Sequence, residues 1–117
     1  MERIEHWIAG AACASLDTAR LAVFDPCTGL AYADCPRGDA RDIAAAVDAA
    51  DAAFPAWSAL KPSERAQWLY QLADAIEHRI DDFVACESRD TGKPLELVRN
   101  IELPRAIANF RFFAAAC

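Results

Sequence analysis

Five cysteines, two histidines and eighteen acidic residues are the reactive inventory of this 117-residue chain. A thiolate attacks electrophilic carbon or binds a soft metal, and spacing decides which role is open to it. Cys13, Cys27, Cys35, Cys86 and Cys117 form no Cys-x-x-Cys pair, and His6 and His78 stand outside zinc-ligand spacing. An odd set of irregularly spaced cysteines, behind a start that lacks an export signal, is no disulfide framework. Reduced and mostly buried thiols are the expectation. His78, directly after Glu77, reads as a surface residue of a helix.

The stretch Asp90-Thr91-Gly92-Lys93-Pro94 closes a long helical pattern. Gly92 suits the left-handed conformation that ends helices, and Pro94 cannot continue one. Asp90 then falls in the last turn, where the backbone dipole presents negative charge and a carboxylate is mildly unfavourable unless compensated. Arg89, Lys93 or solvating water would supply the compensation.

The elements that position these residues follow two regimes, with a break near Gly38. Before it, His6–Gly10 with Ala12–Leu16, then Leu21–Phe24 and Leu30–Cys35 around the turn Asp25-Pro26-Cys27-Thr28-Gly29, read as β-hairpins. After it the pattern is helical. Asp39 is a good N-cap for a helix whose Ile43, Val47, Ala50 and Phe54 line one face, and Pro55 is expected to end it. A second helix opens near Pro62 and is expected to run unbroken to Ser88, with Leu69, Leu72, Ile76, Ile80 and Phe83 on one side. A final helix carries Leu103, Ile107, Phe110 and Ala114, flanked by Phe112 and Phe113. It stops on Ala-Ala-Ala-Cys without a closing Gly, Asn or basic residue, which leads to the expectation of a piece cut from a longer fold. The apolar stripes of these helices are expected to face each other.

With 55% apolar and 26% charged residues the composition is that of a globular protein, and disorder is not expected. A net charge of -6 and no basic cluster interleaved with aromatics argue against nucleic acid as a partner. The first residues are acidic where a signal peptide is basic, and no apolar run is long enough for a membrane span, so a cytoplasmic location is the default expectation.

Taken in order, three pieces resemble the N-terminal part of the NAD(P)-dependent aldehyde dehydrogenases. These are the Asp25-Pro26-x-Thr28-Gly29 turn, Ala52-Ala53-Phe54-Pro55-Ala56-Trp57-Ser58 before a Pro-x-x-Arg helix start, and Asp90-Thr91-Gly92-Lys93-Pro94. The resemblance covers nearly the whole chain, and Leu103–Ala114 looks most like members acting on muconic semialdehydes. The family usually has Asn-Pro where Asp25-Pro26 stands, a departure that should leave the turn intact because Asp and Asn both form it.

The resemblance implies an α+β fragment: residues 1–38 as β-hairpins, residues 39–117 as about three long helices, together the opening part of the coenzyme domain of an α/β enzyme. In that family a thiolate attacks the aldehyde carbon, an Asn stabilises the oxyanion, a base activates water, and NAD or NADP takes the hydride. The segments supplying those groups lie later in the family's sequences, and none of the five cysteines here falls in the catalytic motif. The chain alone is therefore expected to be inactive and to bind no coenzyme; its partners would be the remainder of the fold, in a homo-oligomeric parent. The alternative is a stand-alone, non-catalytic helical scaffold. The resemblance also implies a monovalent cation, sodium or potassium, held by the backbone carbonyls of Val23 and Phe24 and by Asp90, which suits the preference of hard cations for oxygen.

Overall fold

A computed structural model describes residues 1–117, with every strand before Arg37 and every helix after Asp39. The strands are β1 (Glu2–Arg3), β2 (His6–Ile8), β3 (Ala11–Cys13), β4 (Arg20–Phe24) and β5 (Ala31–Pro36). The helices are α1 (Ala40–Ser58), α2 (Pro62–His78), α3 (Ile80–Thr91), the single turn α4 (Leu95–Leu97) and α5 (Leu103–Ala115), with a π-helical turn at Val98–Glu102. This is the expected α+β arrangement. The chain divides into two compact units, Met1–Ser58 and Ala59–Cys117.

In the first unit, β2 and β3 form an antiparallel hairpin closed by Ala9 and Gly10, both at positive φ (53° and 79°). Two successive left-handed residues give a turn whose twist matches that of the flanking strands. The second hairpin pairs β4 with β5, and β1 adds in parallel on the far side of β5, giving the order β1-β5-β4. Its turn is built by Asp25: the carboxylate accepts the Cys27 N–H (2.8 Å) and the carbonyl accepts the Gly29 N–H (2.8 Å). Asp thus does what Asn does at this position. Arg20 fastens the short β1 segment, donating to the Ile4 carbonyl (2.6 Å), to Glu5 (3.2 Å) and to the Asp34 carboxylate.

The start of α1 is a reciprocal cap. Asp39 Oδ1 accepts the Arg41 N–H (2.8 Å), and Asp42 Oδ2 accepts the Asp39 N–H (3.0 Å), which satisfies donors that a helix start otherwise leaves open. Asp42 is buried, and also accepts the Ser15 hydroxyl (2.6 Å) and the Leu16 N–H (3.0 Å). Two expectations for α1 fail. Pro55 does not end the helix, which continues to Ser58: proline's fixed φ is helical, and only one late hydrogen bond is lost. The stripe is not buried against a partner: Val47 and Phe54 are 52% and 63% exposed, and Ile43, which borders a cavity beside Trp7 and Ile8, is still 67% exposed. The side of α1 that meets the β2–β3 hairpin is alanine-rich instead, with Trp7 and Ile8 across a cavity of about 270 Å³ from Ala46, Ala49 and Ala53.

In the second unit, α2 packs along α5. Fully buried Ala73 allows close approach, and Ile107 and Ala114 bury themselves from the opposite side. The expected long helix is two: Arg79, at φ -114° and ψ 27°, closes α2 and opens α3. Its N–H bonds to Ile76 O, while its carbonyl takes the first N–H groups of α3, so the break costs few hydrogen bonds and needs neither Gly nor Pro. The redirected α3 buries Val84 rather than Phe83, which is 39% exposed. The π turn lies just before Pro104, whose missing N–H cannot bond one turn back; the wider turn absorbs that defect.

Two outcomes test these assignments. The Ser15 hydroxyl, the Leu16 N–H and the Asp39 N–H hold the Asp42 carboxyl down at about 2. A depressed carboxyl contributes its stability in full above the unfolded value of ~4 and loses it as pH falls through the folded value. In acid titrations followed by circular dichroism, the wild-type chain should lose its advantage over Asp42→Asn between those two points; a gap that persists unchanged would refute the assignment.

Gly92 closes α3 at φ 74°. Gly92→Ala should lower the unfolding free energy in urea by about 1 kcal/mol, and a neutral substitution would mean the helix end relaxes elsewhere.

Candidate functional site

The Asp90–Pro94 turn is held by its own neighbours. Gly92 N–H donates to Ser88 O (2.9 Å), Thr91 Oγ1 to Glu87 O (2.6 Å) and Ser88 Oγ to Lys93 O (2.7 Å). Backbone groups that the end of α3 would leave open are thereby satisfied. Lys93 Nζ reaches both Glu102 (2.9 Å) in the π turn and Glu87 (3.1 Å) in α3, and these two carboxylates push the ammonium up from its ordinary value. The lysine of the motif is thus a tie between the last turn of α3 and the helical run that follows. Asp90 lies exposed on that same last turn, two residues before the left-handed glycine.

Val23 and Phe24 are adjacent in β4, the first half-buried and the second 56% exposed. A β-bulge falls between them: Val23 pairs with Ala33, but Phe24 with Ala31. Bulges locally interrupt ladder hydrogen bonding and re-aim backbone groups. The irregularity therefore sits at the two residues whose carbonyls the resemblance assigns as cation ligands. Val23 and Phe24 belong to the first unit and Asp90 to the second.

No group of three or more His, Cys, Asp or Glu side chains has metal-binding geometry. All five cysteines are free, with Cys27, Cys86 and Cys117 exposed and Cys13 and Cys35 half-buried. This corrects the expectation of buried thiols, because the elements carrying them are too short or too open to enclose a side chain. His78 is exposed as expected, its Nδ1 2.7 Å from Asp74 O.

The strand-to-helix junction at Gly38, which leads from β5 into α1, does not fit a dinucleotide phosphate. Two carboxylates already occupy its N–H groups, and a phosphate there would meet like charge. Asp42 was not legible as a site residue. The signal that marks it is Asp-x-x-Asp at a helix start, where the second Asp takes the place of the usual Glu of a capping box.

These elements recur in known proteins. The profile of the aldehyde dehydrogenase family matches residues 13–117. The chain is 48% identical over 93 residues to 2-aminomuconic semialdehyde dehydrogenase of Danio rerio, covering 80% of this chain and 19% of that protein. It is 38% identical over 117 residues to 5-carboxymethyl-2-hydroxymuconate semialdehyde dehydrogenase of Escherichia coli, covering 100% of this chain and 25% of that one. The crystal structure of PnpE in complex with nicotinamide adenine dinucleotide superposes with a TM-score of 0.93 at 35% identity, over 96% of this chain and 23% of that one. The chain thus spans 19% to 25% of the length of these relatives. The matched segment includes the Asp25 turn, the α1 cap and the Asp90–Pro94 turn, and the chain belongs to the aldehyde dehydrogenase family.

Proposed function

We propose that this chain is the N-terminal part of an oxidoreductase that oxidises an aldehyde with NAD or NADP, the thiolate and the coenzyme-binding turn being supplied by the rest of the fold. One observation carries the reading: the family match runs through residues 13–117 while covering 19% to 25% of its relatives. The open apolar residues on α1 and α5, among them Ile43, Phe54, Phe112 and Phe113, suit burial by that remainder. In this reading residues 1–117 are one partial domain, strands in 1–38 and helices in 39–117, and the parent is a cytoplasmic homo-oligomer. No helix here is long and apolar enough to cross a membrane. The names of the relatives from Danio rerio and Escherichia coli favour a muconic-type semialdehyde as the substrate.

By itself the chain neither holds coenzyme nor turns over aldehyde, because its one Gly-containing strand-to-helix junction is self-capped by carboxylates. Calorimetric titration of the 117-residue chain with NAD should give no saturable heat. Binding at micromolar concentration would overturn this division of labour.

The cation reading belongs to the parent. A sodium or potassium ion bound by the Val23 and Phe24 carbonyls and the Asp90 carboxylate would explain both the bulge in β4 and an acidic residue at a helix C-terminus. The test uses a hybrid in which this chain replaces the matching segment of the Escherichia coli relative. Its thermal midpoint should be higher in potassium or sodium chloride than in a bulky-cation salt of equal ionic strength, and Asp90→Ala should remove the difference. A hybrid indifferent to the cation, or a variant that keeps the whole difference, takes Asp90 out of that role.

A further inference from the structure

Aldehydes condense with free amines, so a chain whose parent oxidises an aldehyde, as proposed above, carries a chemical liability at each ε-amine. Of its twelve basic residues only Lys61 and Lys93 are lysines. The others are arginines, whose guanidinium stays charged and offers no free lone pair to a carbonyl. Each lysine is followed by a proline, Pro62 or Pro94, which holds the lysine backbone extended. Their side chains meet different surroundings.

Lys93 is held at both ends. Its carbonyl accepts the Ser88 hydroxyl at 2.7 Å, while its Nζ donates to Glu102 at 2.9 Å and to Glu87 at 3.1 Å. The lysine side chain is 38% exposed and the two carboxylates 34% and 39%, so solvent reaches the amine and screens the cluster only in part. Glu102 first, and Glu87 with it, favour the ammonium over the free amine. Lys61 stands exposed at φ -63° and ψ 150°, directly before α2. Glu64, three residues on, turns to the Lys61 backbone N–H (2.7 Å) instead of its ammonium.

We propose that the Glu87–Glu102 clamp shields Lys93 from aldehydes and leaves Lys61 as the ε-amine of this chain that forms the adduct. At Lys61 the amine lone pair attacks the aldehyde carbon and a C–N bond forms. The carbonyl oxygen then leaves as water, taking both amine protons, and an imine remains. At Lys93 the same step must first remove a proton from an ammonium held by two carboxylates, and it would break the tie between α3 and the π turn. The clamp thus keeps the Asp-Thr-Gly-Lys-Pro turn intact in the presence of aldehyde. Its value to the parent rests on the reading given under Proposed function, whereas the selectivity belongs to these 117 residues.

The test treats the 117-residue chain at neutral pH with propanal and cyanoborohydride, which adds hydride to each imine and, with a proton from water, leaves a stable secondary amine. Cleavage at arginine puts the lysines in separate peptides, one ending at Arg65 and the other at Arg99, and mass spectrometry reads the labelling rate of each. Lys61 should label roughly fivefold faster than Lys93 or more. In Glu87→Gln/Glu102→Gln the Lys93 rate should approach that of Lys61, with Lys61 itself unchanged. Equal rates in the wild type overturn the proposal. A Lys93 that stays slow in the double variant does so too, because burial and not charge would then protect it. If the double variant does not fold, Glu87→Gln alone decides: it should raise the Lys93 rate about twofold, and no rise refutes the clamp. None of these outcomes depends on turnover or coenzyme, so the parent's assignment as an aldehyde oxidoreductase stands or falls separately.

Discussion

Apolar surface must leave water for these helices to persist, and within 117 residues little of it does. The buried apolar set is Ala33, Ala73, Val84, Val98, Ile107 and Ala114, of which only Val84 and Val98 are sizeable side chains that are fully enclosed. All three tryptophans, Trp7, Trp57 and Trp68, are 43% exposed or more. A helix draws most of its stability from the face it packs rather than from propensity. The second unit meets that demand in part, because Ala73 on α2 lets α5 approach closely enough to enclose Ile107 and Ala114. In α1 Val47, Phe54 and Trp57 stay largely exposed, while the face that meets the hairpin is mostly alanine. The fold therefore keeps much of its apolar surface open to solvent.

Polar ties fix geometry where burial is thin. Arg20 links the β1 segment to β5 through Ile4, Glu5 and Asp34; Arg111 on α5 grips Asp74 and Glu77 on α2 at 2.8 and 2.6 Å; Lys93 joins α3 to the π turn. Exposed pairs such as those of Arg111 contribute little free energy each, so their effect is chiefly on register and direction. Asp42 differs because it is buried and accepts donors from three residues, which leaves it the strongest polar anchor in the first unit.

Local chemistry was the part of the fold open to reading in advance. Gly92 and Pro94 mark the end of α3, Asp39 marks the start of α1, and the Asp25–Gly29 turn marks the hairpin, because each depends on a residue's own φ preference or side-chain acceptor. The break at Arg79 was not visible, since the apolar period continues across it and packing alone sets the new direction. The π turn was equally hidden: Pro104 announces a defect, but whether a helix ends or widens there depends on what holds it, here the grip of Lys93 on Glu102. For the site, the Asp-Thr-Gly-Lys-Pro motif was legible as a turn. The task of its lysine was not, because Glu102 is distant in sequence and carries no signal of its own.

The parallel pairing of β1 with β5 has a consequence for how the chain is made. Glu2 and Arg3 are synthesised well before their partners Ala33 and Asp34, with the β2–β3 hairpin and β4 in between. The β4–β5 ladder closes over a short loop and forms quickly, whereas β1 must cross a longer span to find its edge, with a correspondingly greater loss of chain entropy. Strand β1 is thus the last of this sheet to settle, although it is the first of the three to be made, and until then β5 presents an unpaired edge to the nascent chain's surroundings.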